Sequence, residues 1–198
     1  MASYSTVAEQ TEYHSDPIKG SRFVADVIPI LTELDAIQAI QRVRERRPDA
    51  SHHCWAWTLH AADQSRASDD GEPGGSAGRP ILAQIIGHEL NDLLVVVSRY
   101  YGGTKLGVGG LIRAYGGTAG KALDTSRYRV IEERMSLRIE FDYAFTKGVE
   151  AVLRQYSILS PETHYNEGVS MLLAPKVEDV ASLKEDLIAH TSGKIRFP

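Results

Sequence analysis

Hydrophobic residues recur with two different periods along the first half of the chain, and these periods predict strands and helices in alternation. Alternating apolar residues predict a strand over residues 21–29, and an unbroken apolar run predicts a buried strand over residues 93–97. Residues 51–59 predict another strand, with Trp55 and Trp57 on one face and Cys54 and Ala56 on the other. Thr32 and Asp35 have the spacing of a helical capping box. The residues that follow predict a helix with one apolar face, formed by Leu34, Ile37, Ile40 and Val43.

Two more helices are predicted in this half of the chain, each after a glycine-rich segment. Pro80 suits the first residue of a short helix that ends near Ile86, because its missing N–H is not needed there. Residues 110–123 have helical spacing but also contain Gly116, Gly117 and Gly120. Glycines at these positions would allow another backbone to pack closely against the helix.

The second part of the chain predicts a separate domain. Periodicity is lost over residues 126–133, which predicts a boundary between an N-terminal domain over residues 1–131 and a C-terminal domain over residues 132–198. The C-terminal pattern predicts the order β-α-β-β-α-β, with its last strand over residues 194–197, which is the order of a ferredoxin-like sandwich. The fold class is therefore predicted to be α+β, with a βαβ-type domain followed by a ferredoxin-like domain.

The composition predicts a globular cytoplasmic protein. Of the 198 residues, 42% are apolar and 24% are charged, and no apolar run is long enough to span a membrane. The first residues lack the pattern of a secretory signal, and Cys54 is the single cysteine. Adjacent strand residues point to opposite faces, so Cys54 and His53 do not form a ready catalytic pair, and a buried structural cysteine is favoured.

A local positive charge stands against the net charge of -4. Residues 93–123 contain Arg99, Lys105, Arg113 and Lys121 and no acidic residue. We predict anion contacts from Arg79, Arg99, Lys105 and Arg113, with ordinary surface charge as the alternative.

The same segment contains a glycine-rich loop between a strand and a helix, an arrangement that presents backbone N–H groups to phosphates. The spacing matches neither the Walker motif nor the dinucleotide fingerprint, so a nucleotide-dependent enzyme is disfavoured. Three tyrosines near this loop could stack on nucleic-acid bases or could be buried in the core: Tyr100, Tyr101 and Tyr115. The predicted anion-binding glycines are Gly102, Gly103, Gly107, Gly109 and Gly110.

An acidic loop near residue 70 is the second candidate. Asp69, Asp70 and Glu72 could bind a cation or transfer protons, but aspartate and glycine in this pattern also form tight turns. The spacing is not that of a calcium loop. We predict a recognition loop, flanked by His53, with no metal and no catalytic residue. A metal-assisted, peptidase-like hydrolase that uses these carboxylates is the alternative hypothesis.

Several longer segments resemble the YigZ/IMPACT family, and together they cover most of the first domain. They are residues 18–23 (IKGSRF), 50–57 (ASHHCWAW), 69–82 (DDGEPGGSAGRPIL), 95–103 (VVVSRYYGG) and 113–115 (RAY).

The resemblance implies an N-terminal domain like those of ribosomal proteins and elongation factors, followed by the ferredoxin-like domain. Eukaryotic relatives with this N-terminal domain regulate translation, but they carry a different second domain, so their partners are not implied here. The resemblance favours a non-enzymatic translation-associated regulator without a cofactor. Its expected partners are RNA or the ribosome, with a translation-factor protein as a further possibility and no membrane.

Overall fold

A computed structural model of the chain describes residues 3–159 and 162–198. Residues 4–131 form one compact unit, and residues 132–198 belong to a second. No helix in the described part of the chain is long and apolar enough to cross a membrane. The strands of the first unit are β1 (Ser3–Val7), β2 (Thr11–His14), β3 (Arg22–Pro29), β4 (His52–Leu59), β5 (Gln64–Ser68), β6 (Leu93–Tyr100) and β7 (Tyr128–Glu132).

Five of these described strands form an antiparallel sheet in the order β2-β3-β6-β4-β5, and β1 pairs with β7. The apolar strand β6 lies at the centre, with Val97 opposite Ala25 of β3 and Cys54 of β4. Because β3 and β4 both run antiparallel to β6, they are parallel to each other. The helix α1 (Glu33–Arg46) connects them. The predicted βαβ unit is therefore present, with a third strand between its two strands.

The sheet has a hydrophobic core on each face. Cys54 and Ala56 face the helices α2 (Gly78–Gly87) and α3 (Val108–Asp124), whereas Trp57 and Leu59 pack on the α1 side. The alternation predicted for this strand is therefore confirmed. The strand β4 is buried on both faces because helices cover both faces of the sheet.

The helix α1 confirms the predicted capping box but corrects half of the predicted apolar face. The backbone N–H of Asp35 donates to Thr32 Oγ1 at 3.1 Å, and Thr32 N–H donates to the Asp35 carboxylate at 2.9 Å. Of that face, Val43 is buried and Ile40 packs against the core, whereas Leu34 and Ile37 are 61% and 56% exposed. The sheet below α1 carries bulky tryptophans, so small side chains make the close contact. The residues that α1 buries are Ala36, Ala39 and Val43.

The helices α2 and α3 pack side by side in the same direction. A Cβ at Gly116 would lie 3.5 Å from the Pro80 side chain, and one at Gly120 would lie 2.6 Å from Gln84 Oε1. The contact of residue 80 with 116 and of residue 84 with 120 makes the helices parallel, so their N-termini lie at the same end. The structure begins α2 at Gly78, two residues before the predicted start.

The second unit has the predicted β-α-β-β-α order, and its final strand is reduced. Its sheet has the order β8-β10-β9, and Arg196 adds one antiparallel bridge with Glu140 at the free edge of β8. This arrangement is ferredoxin-like, although the strand predicted over residues 194–197 consists of a single bridge. The elements are β8 (Leu137–Phe141), α4 (Thr146–Leu153), β9 (Glu162–Tyr165), β10 (Val169–Leu173) and α5 (Val180–His190).

Candidate functional site

The acidic loop is organised by Asp69, whose carboxylate is surrounded by backbone donors. It accepts hydrogen bonds from the N–H groups of Gly75, Ala77 and Gly78 at 2.8, 2.9 and 2.8 Å. Burial opposes the charged form, but these donors outweigh it and hold the pKa of Asp69 below its usual value. Ala77 stands at the N-cap of α2 and has no capping side chain, so Asp69 supplies the missing acceptor.

The second carboxylate of the loop joins it to α1 and the sheet. Asp70 accepts from Arg44 Nη2 at 2.5 Å and from the His53 backbone N–H at 2.6 Å. The His53 ring lies on β4, with Nδ1 2.9 Å from Ser98 Oγ. Burial, followed by the positive charge of Arg44, lowers the pKa of His53. His53 is therefore a neutral sheet residue that hydrogen-bonds to the central strand.

The third carboxylate, Glu72, belongs to a buried polar cluster. Glu72 Oε1 accepts from Arg99 Nη1 and from the Tyr115 hydroxyl, both at 2.7 Å. Glu72 is 9% exposed and Arg99 6%. The predicted anion contact at Arg99 therefore faces inward, with its charge balanced by Glu72. Tyr115, which the sequence left open between stacking and core, is a core residue at 0% exposure.

Cys54 lies beneath this cluster as a buried thiol. Its Sγ donates to the Asp69 carbonyl at 3.0 Å, and burial raises its pKa to about 12. A thiol with such a pKa is protonated at neutral pH and is a poor nucleophile. The structural role predicted for Cys54 fits this environment.

These contacts leave the acidic loop poorly suited to hold a cation. Each of the three carboxylates already accepts from protein donors. Within residues 3–159 and 162–198, no three or more His, Cys, Asp and Glu side chains are arranged to hold a metal ion. The loop therefore acts as a structural joint between β4, α1, α2 and β6.

The glycine-rich loop after β6 begins with a contact between two backbones. A Cβ on Gly102 would lie 1.9 Å from the carbonyl carbon of Gly20, and one on Gly20 would lie 2.8 Å from the Gly102 carbonyl oxygen. Gly103 and Gly107 have φ values of 83° and 72°, a region that favours glycine. At Gly109, however, a Cβ would meet only the Arg113 side chain.

The loop is exposed and leads into an uncapped helix. Gly107 is the N-cap of α3 and provides no side-chain cap, and the first turn of α3 contains no acidic residue. Lys105 and Arg113 are exposed, as are Tyr101 and Val108. We call residues 101–110 together with Arg113 the glycine-loop surface.

Two more exposed cations lie on the helices α2 and α3. Arg79 is in the first turn of α2, whose N-terminus lies at the same end as that of α3, and Lys121 lies further along α3. In the described parts of the chain, none of Arg79, Lys105, Arg113 and Lys121 has a carboxylate within ion-pairing distance. The structure thus separates a buried cation, Arg99, from four unpaired surface cations.

The sequence did not reveal the cluster of Glu72, Arg99 and Tyr115 as a unit. These residues are 27 and 43 positions apart from Glu72 along the chain, and only the sheet and the α3 packing bring them together. The local signal was the pair of loops rich in glycine and charged residues. It indicated a special site without showing which charges neutralise each other.

The architecture and the site define a two-domain α+β protein with an exposed basic glycine loop on its first domain. Residues 19–123 match the Impact N-terminal domain, and residues 139–194 match a domain of unknown function, DUF1949. The chain belongs to the IMPACT family.

Similar proteins match nearly the whole chain. The IMPACT family member YvyE of Bacillus subtilis is 36% identical over 198 residues, covering 98% of this chain and 89% of the relative. The IMPACT family member YigZ of Escherichia coli is 36% identical over 192 residues, covering 92% and 91%. A solved structure titled "Crystal structure of an hypothetical protein" has a TM-score of 0.71 and 33% identity, covering 100% of this chain and 97% of its own.

Proposed function

We propose that this protein is a non-enzymatic, translation-associated regulator of the cytoplasm that binds RNA or the ribosome through the glycine-loop surface. The observation that carries the proposal is the group of unpaired cations around an exposed glycine loop. Lys105 and Arg113 provide positive charge, and the uncapped α3 terminus provides backbone N–H donors. Phosphates favour this combination of donors.

The surface also contains groups that suit nucleotides beyond their phosphates. The Tyr101 ring is 51% exposed, and the Arg99 guanidinium carbon lies 5.4 Å from its centroid, which helps to hold the ring in place. An exposed aromatic ring beside cations can stack on a base in single-stranded RNA. Membership of the IMPACT family supports the link to translation, because the resemblance of its N-terminal domain is to proteins that contact the ribosome.

The structure gives no support to the hydrolase hypothesis. A metal-assisted hydrolase needs carboxylates that are free to bind the ion, whereas Asp69, Asp70 and Glu72 each accept hydrogen bonds from donors within the protein. The glycine-loop surface has no such competition from internal partners.

The test is co-sedimentation of the full chain with ribosomes, and with ribosome-free RNA, across a potassium chloride series. We expect binding that weakens as salt rises, because phosphate contacts release counterions. The double variant Lys105→Gln/Arg113→Gln should bind more weakly and should lower the slope of log affinity against log salt by about 1.5.

The matched control is Arg42→Gln/Lys147→Gln, which removes the same charge from exposed positions on α1 and α4. Equal losses in the two double variants would show that net charge, rather than this surface, determines binding. No association at any salt would overturn the proposal. Binding to ribosomes that is independent of salt would indicate a protein partner instead.

A further inference from the structure

An open groove lies beside the glycine-loop surface, between α3 and the segment before β3. Its volume is about 230 Å³. The α3 wall includes Arg113, Gly117, Thr118 and Lys121, and the opposite wall includes Ser15 and Asp16. The segment that forms the opposite wall continues to Gly20, whose backbone touches Gly102. The groove therefore adjoins the start of the glycine-rich loop.

Gly117, on the α3 side, forms the floor of the groove, and no close packing requires a glycine at this position. Gly116 and Gly120 lie against α2, but a Cβ on Gly117 would meet no atom within 4 Å. Glycine inside a helix lowers helix stability relative to alanine. The absence of a side chain at Gly117 leaves room for a ligand to approach the helix backbone.

A buried hydroxyl beside this floor has no partner. Thr118 is 2% exposed, and in the described structure its Oγ1 forms no hydrogen bond. Buried polar atoms in folded proteins nearly always have a partner, because an unsatisfied one is costly. Thr118 lines the groove, but its Oγ1 is fully enclosed by the protein, so this hydroxyl is not offered to a ligand, which would be held by the residues around it.

The charges along the groove follow a pattern. Arg113 and Lys121 are eight residues apart on one helix, about 12 Å, which spans roughly three stacked nucleotides. Gly117 lies midway between them, and Asp16 faces them from the other wall. Cations attract phosphates, but a carboxylate repels them and needs a donor. A chain in which phosphates alternate with hydroxyl groups meets both requirements.

We propose that the ribose–phosphate backbone of single-stranded RNA lies across this groove, over a length of about three nucleotides. Arg113 and Lys121 contact phosphates, and the Asp16 carboxylate accepts a hydrogen bond from a ribose 2′-hydroxyl. The proposal rests on the RNA-binding function above and adds a selection for RNA over DNA, because DNA lacks the 2′-hydroxyl.

The test compares two labelled ten-nucleotide strands, oligo-uridine RNA and oligo-deoxyuridine DNA, which share the same base. Binding to the full chain is measured by fluorescence anisotropy at two salt concentrations. We expect the wild type to bind the RNA roughly tenfold more tightly, the effect of one hydrogen bond to a charged group. Asp16→Ala should reduce this ratio, because it removes the acceptor of the 2′-hydroxyl hydrogen bond. It should not weaken DNA binding, because it also removes a negative charge that repels both strands.

A second variant tests the floor of the groove. Gly117→Leu should weaken RNA binding, because its side chain fills the space above the helix. The control is Gly87→Leu at the end of α2, where a Cβ also meets no atom within 4 Å. Circular dichroism and thermal unfolding establish that both variants are folded.

The outcomes separate this proposal from the one it rests on. Three results would each overturn the groove proposal: equal affinity of the wild type for RNA and DNA, an unchanged ratio in Asp16→Ala, or equal effects of the two leucine variants. RNA binding that remained sensitive to Lys105→Gln/Arg113→Gln would then leave the proposed function standing. A wild type that bound neither strand nor ribosomes would overturn both.

Discussion

At the scale of single residues, Glu72 and Arg99 determine how the loops around the site are held. Their ion pair is buried, and the Tyr115 hydroxyl donates to the same Glu72 oxygen. Burying two charges is costly, so such a pair contributes little relative to apolar residues of the same size. Removal of one partner alone is strongly destabilising, because the remaining charge stays buried without a counter-charge.

Arg99→Met tests this asymmetry. We expect the free energy of unfolding to fall by about 3–5 kcal/mol, because Glu72 is left buried without its cation. Urea denaturation followed by tryptophan fluorescence measures the loss, since Trp55 and Trp57 lie in the same sheet.

The control is Arg66→Ala, which breaks an exposed ion pair with Glu33 in the same unit. This change should cost about 1 kcal/mol or less, because exposed pairs are screened by water. Similar losses in the two variants would contradict a dominant role for burial.

The residues that sequence reasoning placed correctly are those with local signals. Thr32 and Asp35 form their capping box within four positions, so their spacing was sufficient. Arg99 was predicted to contact an anion at the surface, but it pairs with Glu72, which lies 27 positions away in the acidic loop. A charge on a strand next to a glycine loop looks the same in sequence whether it faces water or a buried carboxylate.

At the scale of elements, α3 combines two uses of glycine. Gly116 and Gly120 allow α2 to pack closely, whereas Gly117 faces open space. The sequence predicted a close backbone approach at this helix but did not distinguish the three positions. Their different directions follow from the helical repeat, which places residues 116 and 120 on one face and residue 117 on the next.

Gly117→Ala should raise the free energy of unfolding by about 0.5–1 kcal/mol, because alanine favours the helix and its Cβ meets no neighbour. Gly120→Ala should give a smaller gain or a loss, because its Cβ would lie 2.6 Å from Gln84 Oε1 and the side chain must move. Thermal unfolding of the two variants measures the difference. A loss of stability in Gly117→Ala would show that residue 117 is packed after all.

The predicted apolar face of α1 shows a limit of periodicity. Leucine and isoleucine at helical spacing pointed to one face, but the helix buries its alanines against the tryptophan-bearing sheet. Periodicity shows which residues are hydrophobic, but close packing also depends on the size of each side chain. The helix and its N-terminal end were predictable, and the rotation of the helix about its axis was not.

At the scale of the whole molecule, each of the two units has its own hydrophobic core. Ile81 belongs to the core between the main sheet and the helices α2 and α3, and Leu183 belongs to the core of the second unit. Both residues are fully buried. Because the described cores are separate clusters, a cavity in one core should destabilise the unit that contains it.

Leu183→Ala should lower the stability of the second unit by about 2–5 kcal/mol through the lost contacts and the cavity. Hydrogen exchange of the full chain should show faster exchange in β8 and β10 and unchanged exchange in β6. Ile81→Ala is the reciprocal control and should affect β6 alone. Loss of protection in all three strands from either substitution would show that the chain unfolds as one cooperative unit.

The main helices and strands were predictable because the periodicity changes clearly along the chain, whereas the short strands β1, β2, β5 and β7 were not predicted. The net charge of -4 was less informative, since buried and paired carboxylates account for much of the acidic content around the site. A chain that is acidic on average can therefore present a locally basic surface, and only the three-dimensional pairing of charges shows where that surface lies.

The contact between Gly20 and Gly102 has a consequence for how the protein can evolve. Any mutation that replaces a glycine adds at least one carbon, and at residue 102 that carbon would collide with the opposing backbone. Neither glycine can therefore be replaced on its own. A smaller residue at the other position cannot relieve the collision, because no residue is smaller than glycine. The point where the groove wall meets the glycine-rich loop accepts glycine alone, whereas a change of an exposed cation on either side would alter what the surface binds without a collision of backbones.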